Sequence, residues 1–396
     1  MDVVITGIGI ISSIGENVNE NLVSLKEGKH GIGPSRVLKS KIAEKMVVGE
    51  VSLSNDQLRE LLKIETSTPF SRTGLLSGIA IQECLENAGM AGRKYEFVNS
   101  TSTGGIDRSE IYYKNHKGET KADHADLIVH DSGDVTTRLN RHFDMPCSSM
   151  TISTACSSGA NAIMLGARMI KNGMADAVLV GGGDALTNFT INGFNSLGIL
   201  DPQHCKPFSG DRKGLNLGEG AAYLMLESER HANQRGANIY GHVKGWSNTN
   251  DAFHQTASSP EGKGATKAMQ LALNRAALKP KDIDYINVHG TGTQNNDASE
   301  GQALLYVFEI LPPFSSTKAF TGHTLAAAGS LEAVFSILSI QHNIIPPNLN
   351  FNQPLEVSDL KPQTHLLQEV TVNTVLSNSF GFGGNNTSLI FTSSSS

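Results

Sequence analysis

A repeat of three units, each an apolar or β-branched run followed by a turn of small residues, constrains the fold of this chain most strongly. The units occur in the same order at residues 95–105, 150–170 and 175–184, and again at residues 284–293, 315–338 and 374–386. In both halves the second unit continues with apolar residues at helical spacing. Because strands that alternate with helices form layered folds, the repeat predicts a duplicated α/β fold whose turns converge between two pseudo-symmetric halves.

Cys156 lies in the second unit of the first half, within Thr154-Ala-Cys-Ser-Ser-Gly159. This segment joins a predicted strand to a predicted helix. The unpaired N–H groups and the positive dipole end of a helix favour thiolate over thiol, so we expect Cys156 to be a nucleophile near neutral pH. The alternative for a free cysteine at such a place is simple burial in the core.

Two histidines occupy related turns of the second half. His323 lies at the turn equivalent to that of Cys156, and His289 follows the neighbouring strand. The repeat therefore predicts that both approach Cys156 in one cleft. Lys318 and Glu332 flank His323 and would form either a buried ion pair that fixes its position or an exposed pair of little energetic weight.

The segment Gly381-Phe-Gly-Gly384 has two interpretations, a phosphate loop or a backbone that must approach a substrate. No Lys-Ser/Thr follows it as in a P-loop, which favours the second interpretation. The backbone N–H groups of Phe382 and Cys156 would then form an oxyanion hole for a thioester carbonyl.

Charge and cysteine content exclude several classes of protein. The 32 basic and 38 acidic residues give a net charge of −6, so no global basic field attracts nucleic acid or an anionic membrane. Four scattered cysteines without a C-x-x-C pair indicate a reducing compartment. The chain begins without a signal-like leader and no apolar run approaches transmembrane length, so we expect a cytoplasmic protein. The histidines of residues 107–145 lack the spacing of a metal site.

The remaining elements give weaker signals. Gly7-Ile-Gly-Ile-Ile-Ser12 nearly matches a dinucleotide fingerprint, but Ser12 replaces the third glycine or alanine, and we interpret it as a tight turn after an edge strand. Residues 16–70 are polar and irregular. Residues 71–89 carry helical periodicity and end in a glycine cap. Residues 190–220 form a glycine-rich loop of a length typical of functional segments.

Four motifs together resemble those of the β-ketoacyl-[acyl-carrier-protein] synthases, the elongating condensing enzymes of the thiolase superfamily. They are Thr154-Ala-Cys-Ser-Ser-Gly159, His289-Gly-Thr-Gly-Thr293, Lys318-Ala-Phe-Thr-Gly-His323 and Asn378-Ser-Phe-Gly-Phe-Gly-Gly384. The resemblance covers essentially the whole chain. It implies a duplicated, five-layered αβαβα thiolase fold, with residues 1–235 carrying the cysteine and residues 236–396 carrying both histidines.

The resemblance also implies roles for individual residues in a decarboxylative Claisen condensation. Cys156 would accept an acyl chain, while His289 and His323 would hold the malonyl thioester carbonyl and stabilise the enolate. Lys318 would orient the site with Glu332. The remaining positions implied are supporting residues, acyl-pocket and gating residues and a second mobile loop: Thr291, Thr293 and Asp297; Ile106, Phe382, Gly381 and Gly383; and residues 251–254.

An acyl carrier protein is the implied partner, and its phosphopantetheine arm would deliver both substrates with no other cofactor and no metal bound. A homodimer or a ketosynthase heterodimer is implied as well. A degradative thiolase is disfavoured because residues 381–386 lack a second cysteine, and an initiating synthase because His323 stands where that type has asparagine. Cys156 argues against a non-catalytic chain-length partner.

The pathway stays open between two alternatives. Gly292 stands where many fatty-acid elongation enzymes carry serine, and the Asn-Asn-Asp297 ending resembles the ketosynthase subunits of type II polyketide and aryl-polyene systems. We therefore expect elongation either in fatty-acid synthesis or in one of those pathways.

Overall fold

The computed structural model describes residues 2–117, 124–145, 148–355 and 359–394. The strands in these ranges are β1 (Val3–Ser12), β2 (Ile32–Pro34), β3 (Val47–Gly49), β4 (Glu96–Ser100), β5 (Ser149–Ile152), β6 (Ala177–Asp184), β7 (Gly220–Ser228), β8 (Gly241–Asn250), β9 (Tyr285–Asn287), β10 (Phe314–Ser315), β11 (Ile344–Ile345), β12 (Leu367–Gln368), β13 (Thr374–Gly381) and β14 (Asn385–Thr392).

The α-helices of the same ranges are α1 (Val18–Glu27), α2 (Asn55–Leu62), α3 (Arg72–Ala88), α4 (Ile106–Lys117), α5 (Ala125–Ile128), α6 (Ser132–His142), α7 (Ser158–Lys171), α8 (Asn188–Ser196), α9 (Glu229–Gln234), α10 (Lys263–Ala276), α11 (Gln294–Val307), α12 (Lys318–Thr321) and α13 (Ala328–His342). Short 3₁₀ helices cover Ala43–Lys45, Pro280–Asp282 and Leu325–Ala327.

Ten strands form one sheet in the order β10-β9-β13-β14-β8-β1-β7-β6-β4-β5. Its two halves have the same internal topology. In chain order the sheet strands are β1, β4, β5, β6 and β7 in the first half, and β8, β9, β10, β13 and β14 in the second. In each half the first of these five strands is antiparallel to the fifth and the fifth to the fourth. The fourth is parallel to the second, and the second to the third. A short antiparallel contact between β1 and β8 joins the halves. The predicted duplication is therefore confirmed, strand by strand.

Helices cover both faces of each half, which produces the predicted five layers. Helices α7 and α13 pack against each other between the halves, in a central core that joins Val180 of the first half to Val375 of the second. Helix α3 covers the outer face of the first half, against Leu179, and α10 covers that of the second, against Leu376. The two strand-to-helix turns that precede α7 and α13 consequently meet at the middle of the molecule.

One helical stretch, Leu325–His342, is long and apolar enough to cross a membrane by length and composition. Because 89% of this stretch is buried inside the protein, it is a core helix. It corrects the expectation that no apolar run approaches transmembrane length.

Strand β1 corrects the interpretation of the N-terminal glycines. It continues through Gly7 and Gly9 to Ser12 and lies at the centre of the sheet, between β7 and β8. The glycines are needed for helix packing, because a methyl group on Gly9 would lie 2.1 Å from the carbonyl oxygen of Ala80 in α3. A local sequence pattern cannot distinguish this long-range requirement from a turn.

Residues 16–70 also contain more regular structure than predicted. Helix α1 begins after Asn17, whose side chain accepts the N–H of Glu20 at 3.0 Å. Helix α2 begins after Ser54, which forms a capping box with Gln57. These capping residues are the local signals that the polar composition concealed. The helix expected at residues 71–89 is confirmed as α3.

The close packing of β1 against α3 predicts an unequal response to two glycine substitutions. Gly9→Ala should lower the free energy of unfolding by about 1–3 kcal/mol or more, because its methyl group would enter the backbone of α3. Gly33→Ala is the matched control, since nothing lies within 4 Å of the added methyl group. Denaturant titration measures both values, and equal stabilities of the two variants would contradict the packing argument.

Candidate active site

Cys156 lies in a constrained turn between β5 and α7. Ala155 has φ 54°, a left-handed conformation that residues with a β-carbon rarely adopt. The Ser158 hydroxyl stabilises the turn by accepting the N–H of Thr154 at 2.8 Å and donating to the carbonyl of Ala155 at 2.6 Å. The expected arrangement of strand, turn and helix is confirmed, with the sulfur presented at the helix start.

The glycine-rich turn after β13 passes directly against this cysteine. A methyl group on Gly381 would lie 3.0 Å from the carbonyl oxygen of Thr154 and 3.2 Å from the backbone nitrogen of Cys156. The close approach brings the N–H of Phe382 to the cysteine sulfur, where it acts together with the N–H of Cys156 itself. Two backbone donors thus converge on the sulfur of Cys156.

Burial dominates the acidity of the thiol. It raises the pKa of Cys156 to about 11, against the opposing effects of the Phe382 N–H and the positive charge of Lys318. The negative charge of Asp184 raises this pKa further. The helix start alone therefore does not produce a thiolate near neutral pH, contrary to our expectation, because the sulfur is desolvated.

His289 and His323 lie together on the wall of the cavity that contains Cys156. Their ring centroids are 5.5 Å apart and the rings are nearly perpendicular, at 87°. Burial lowers the pKa of both imidazoles well below the usual value, and the charge of Lys318 lowers each further. Both rings are therefore neutral near pH 7. Each Nδ1 is buried without a hydrogen-bond partner in the described ranges, which leaves Nε2 for a ligand.

Lys318 and Glu332 form a buried ion pair behind the two histidines, with both side chains only 3% exposed. The ammonium group also donates to the carbonyl oxygen of His289 at 2.6 Å. Burial raises the pKa of Glu332 to about 7, although Lys318 opposes that shift. The buried alternative of the two predicted for this pair is confirmed, and it fixes a positive charge beneath the site.

Glu300 of α11 holds the His289 backbone in place, and the sequence argument did not identify it. Its carboxylate accepts the N–H groups of His289 at 2.9 Å and Gly290 at 2.8 Å. The side-chain amide of Asn378 donates to it at 3.1 Å. A signal was available, because Asp297 and Glu300 are three residues apart and share one helix face.

Asp184, at the end of β6, is the second acidic residue that sequence reasoning missed. It accepts the hydroxyl of Thr101 at 2.6 Å, the N–H of Thr103 at 3.0 Å and the N–H of Ala326 at 2.9 Å. These bonds tie the loop after β4 to the turn before α13. The carboxylate therefore links the two halves beside the nucleophile.

Thr291, Thr293 and Asp297 shape the turn after His289. The two threonine hydroxyls are 2.9 Å apart and both residues line the cavity. Asp297 lies behind them, where it accepts the N–H groups of Phe208 at 2.7 Å and Gly292 at 3.2 Å. Asp297 thus supports the turn without lining the cavity.

The cavity itself has a volume of about 380 Å³, and a pair of aromatic rings forms part of its wall. Phe382 stacks on Phe194 with centroids 5.6 Å apart. Gly381 lines the cavity, whereas Gly383 faces away and donates its N–H to the carbonyl of Gln255 at 2.7 Å. The loop predicted at residues 190–220 is partly wrong, because α8 (Asn188–Ser196) covers its beginning. The irregular remainder contributes Ile199 and Lys213 to the cavity wall.

Two further predicted positions lie outside this wall. Ile106 begins α4 and does not line the cavity in the described part of the chain. In the loop of residues 251–254, the N–H of Asp251 donates to the carbonyl of Gly384 at 2.9 Å. This loop is therefore attached to the glycine-rich turn.

The high pKa of Cys156 predicts a simple pH dependence of its alkylation. Only the thiolate reacts, and well below pH 11 its fraction rises about tenfold per pH unit. The rate with iodoacetamide should therefore rise about tenfold per pH unit between about pH 7 and 9. Peptide mass spectrometry at several reaction times measures the rate at this residue, and the Cys156→Ala variant identifies reaction at other cysteines. A plateau below about pH 8 would show that the thiol is already ionised there.

Comparison with known proteins agrees with this geometry. The sequence matches two protein-family models. Residues 1–232 match "Beta-ketoacyl synthase, N-terminal domain", and residues 240–352 match "Beta-ketoacyl synthase, C-terminal domain". It is 32% identical over 408 residues to "3-oxoacyl-[acyl-carrier-protein] synthase 2" of Staphylococcus aureus, covering 98% of this chain and 97% of the relative. The protein of the same name from a Synechocystis species is 33% identical over 410 residues, with the same coverage.

Solved structures show the same fold over the full length. "The ishigamide ketosynthase/chain length factor" has a TM-score of 0.92 at 29% identity and covers 99% of both chains. "Ketosynthase (ApeO) in Complex with its Chain Length Factor (ApeC)" from Xenorhabdus doucetiae has a TM-score of 0.86 at 31% identity, covering 99% of this chain and 98% of the other. The chain described here belongs to the β-ketoacyl synthase family.

Proposed function

We propose that this protein is an elongating β-ketoacyl-[acyl-carrier-protein] synthase that condenses a Cys156-bound acyl chain with malonyl carried by an acyl carrier protein. The observation that carries the proposal is the cavity in which Cys156 and two neutral histidines meet, with two backbone N–H groups directed at the sulfur. Membership of the ketoacyl synthase family supports the same reaction class.

In the first step, the sulfur of Cys156 attacks the thioester carbonyl of an acyl group on the phosphopantetheine arm. The N–H groups of Cys156 and Phe382 stabilise the oxygen charge of the tetrahedral intermediate. The bond to the phosphopantetheine sulfur breaks, and the proton of the Cys156 thiol leaves with that thiol. Because the free thiol has a raised pKa, the two donors and the charge of Lys318 have to favour sulfur ionisation as the acyl group arrives.

In the second step, malonyl on a second carrier loses CO₂ and leaves an enolate. The Nε2 atoms of His289 and His323 donate hydrogen bonds to the enolate oxygen, for which neutral rings with a low pKa are suited. Lys318 orients His289 through its carbonyl group, and its charge adds to the effect of burial that keeps both rings neutral. Glu332 balances that charge inside the protein.

In the third step, the enolate carbon attacks the carbonyl of the acyl-Cys156 thioester. A carbon–carbon bond forms, the bond from the acyl carbon to the Cys156 sulfur breaks, and one proton from solvent restores the thiol. The products are CO₂ and a β-ketoacyl group on the carrier. Thr291 and Thr293 face the cavity and offer hydroxyl groups to the amide-containing arm that delivers both substrates.

An acyl carrier protein is the partner that this chemistry requires, and a solved neighbour is titled "type II PKS acyl-carrier protein in complex with its ketosynthase". We assign gating to Phe382, with Gly381 and Gly383 on either side of it, because its ring stacks on Phe194 in the cavity wall. Ile106 would then bound the acyl chain from α4 only if the pocket extends beyond the cavity described above.

We also propose that the chain pairs with a second ketosynthase-type chain, identical or related. Strand β5 ends the ten-stranded sheet, and Met150 in it is 39% exposed. An uncovered edge of this kind is suited to pairing with another chain.

Within the chain, we place the boundary of the two halves at residues 235/236, between α9 and β8. We also propose a cytoplasmic location.

Fatty-acid elongation is the pathway we favour, since the named relatives at 32–33% identity are 3-oxoacyl-[acyl-carrier-protein] synthases. A second candidate is the ketosynthase subunit of a type II polyketide or aryl-polyene pathway. It is supported by solved neighbours described with a chain length factor and by Gly292 in the histidine turn.

Two substitutions of the nucleophile separate its role from that of the histidines. Both Cys156→Ala and Cys156→Gln should abolish condensation, because neither side chain can hold an acyl group as a thioester. The glutamine variant should still decarboxylate malonyl-carrier protein, since His289 and His323 remain in place. Release of labelled CO₂ measures decarboxylation. Loss of this release in a glutamine variant that a denaturation control shows to be folded would contradict the roles of the histidines.

The pathway is resolved by offering malonyl-carrier protein with a series of acyl-carrier proteins of increasing length. A fatty-acid enzyme should extend saturated acyl chains, and mass spectrometry of the carrier identifies each product. Turnover restricted to unsaturated or aromatic primers would instead establish the second candidate. The Cys156→Ala variant serves as the blank for both.

A further inference from the structure

A second cleft, separate from the catalytic cavity, is lined by basic side chains from three elements. Its volume is about 350 Å³. Arg168 and Lys171 come from the last turn of α7, Lys244 from β8 and Arg275 from α10. We name these four residues the basic cleft.

The cleft lies far from the reacting groups. Helix α7 begins two residues after Cys156 and has 14 residues, so it spans about 21 Å, and Lys171 is at its far end. Strand β8 likewise begins near the cleft, while its last residue, Asn250, pairs with Asn385 beside the glycine-rich turn. A molecule bound in the basic cleft therefore occupies the opposite end of the molecule from the catalytic cavity.

No carboxylate in the described part of the protein neutralises the four cations. None of them forms an ion pair within 4 Å with a carboxylate in the described ranges, and Asp2 is the one acidic residue on the cleft wall. This concentration of positive charge occurs in a chain with a net charge of −6. Favourable interaction with the C-terminal dipole of α7 explains Arg168 and Lys171. Arg275 lies likewise in the last turn of α10, so among the four cations only Lys244 of β8 has no helix dipole to explain it.

The walls hold these groups in place. Trp246 is 4% exposed, and the guanidinium group of Arg275 lies 5.1 Å from the centroid of its ring. His242 is buried beside them, with its Nδ1 3.2 Å from the carbonyl oxygen of Ser393. The side-chain amide of Asn172 adds a neutral donor to the wall. Arginine on a rigid aromatic surface is well suited to bind phosphate oxygens.

We propose that the basic cleft binds a small molecule that carries two or more phosphate groups. Four cations from three elements match the charge of a diphosphate better than that of a single phosphate, and the volume accommodates a diphosphate with an attached group of moderate size. A substrate-delivering carrier protein is not the occupant, because its arm could not enter the catalytic cavity from this end. Binding would bridge α7 of the first half and β8 of the second, and would stabilise the folded chain.

Isothermal titration of the full chain with inorganic pyrophosphate tests this proposal. We expect saturable binding at one site, weakened at least about tenfold in the double variant Lys244→Gln/Arg275→Gln. Lys267→Gln is the matched control, because it removes one charge from the exposed face of α10 away from the cleft. A thermal midpoint that rises with pyrophosphate in the native protein, but not in the double variant, gives an independent readout.

Substituting ADP for pyrophosphate identifies the source of the phosphate groups. Tighter binding of ADP supports a nucleotide, and equal binding supports the diphosphate group alone. Condensation activity of the double variant should be unchanged, which shows that it is folded. The proposal is overturned if pyrophosphate does not saturate, if Lys267→Gln weakens binding as much as the double variant, or if alkylation of Cys156 abolishes binding.

Discussion

Desolvation at the contact between the two halves determines the chemistry of the cysteine and both histidines in the catalytic cavity. It raises the pKa of Cys156 to about 11 and lowers the pKa of both histidines well below the usual value. These shifts leave all three catalytic side chains uncharged in front of the buried Lys318–Glu332 pair. The single buried ammonium group then acts on all three, because it favours ionisation of the sulfur and disfavours protonation of the rings.

Buried carboxylates hold the backbone on which this arrangement depends. Glu300 fixes the chain at His289, and Asp184 ties the loop after β4 to the turn before α13. Each accepts several N–H or hydroxyl donors, so the charge is compensated inside the protein. The catalytic turns are therefore positioned by carboxylates that lie one layer behind the cavity. Neutral side chains in place of Glu300 and Asp184 would not accept the same number of hydrogen bonds.

Local patterns in the sequence predicted much of this structure. The repeat identified both strand-to-helix turns, and the small residues around Cys156, His289 and His323 indicated that their turns converge. What remained inaccessible depends on contacts between distant residues. Gly9 looked like a turn because its requirement arises from the Ala80 carbonyl on another layer. Glu300 and Asp184 looked like ordinary acidic residues because their donors belong to other segments. The acidity of Cys156 was overestimated, because its position at a helix start can be inferred from neighbouring residues, whereas its burial depends on residues distant in the sequence.

Formation of an acyl-enzyme at Cys156 is the central claim of the proposed mechanism. Incubation with an acyl-carrier protein in the absence of malonyl-carrier protein should increase the intact mass of the protein by one acyl group. Peptide mapping should place that group on Cys156, and subsequent addition of malonyl-carrier protein should remove it. An unmodified Cys156 after incubation with the acyl-carrier protein alone, in a preparation that forms the β-ketoacyl product once malonyl-carrier protein is added, would contradict the mechanism.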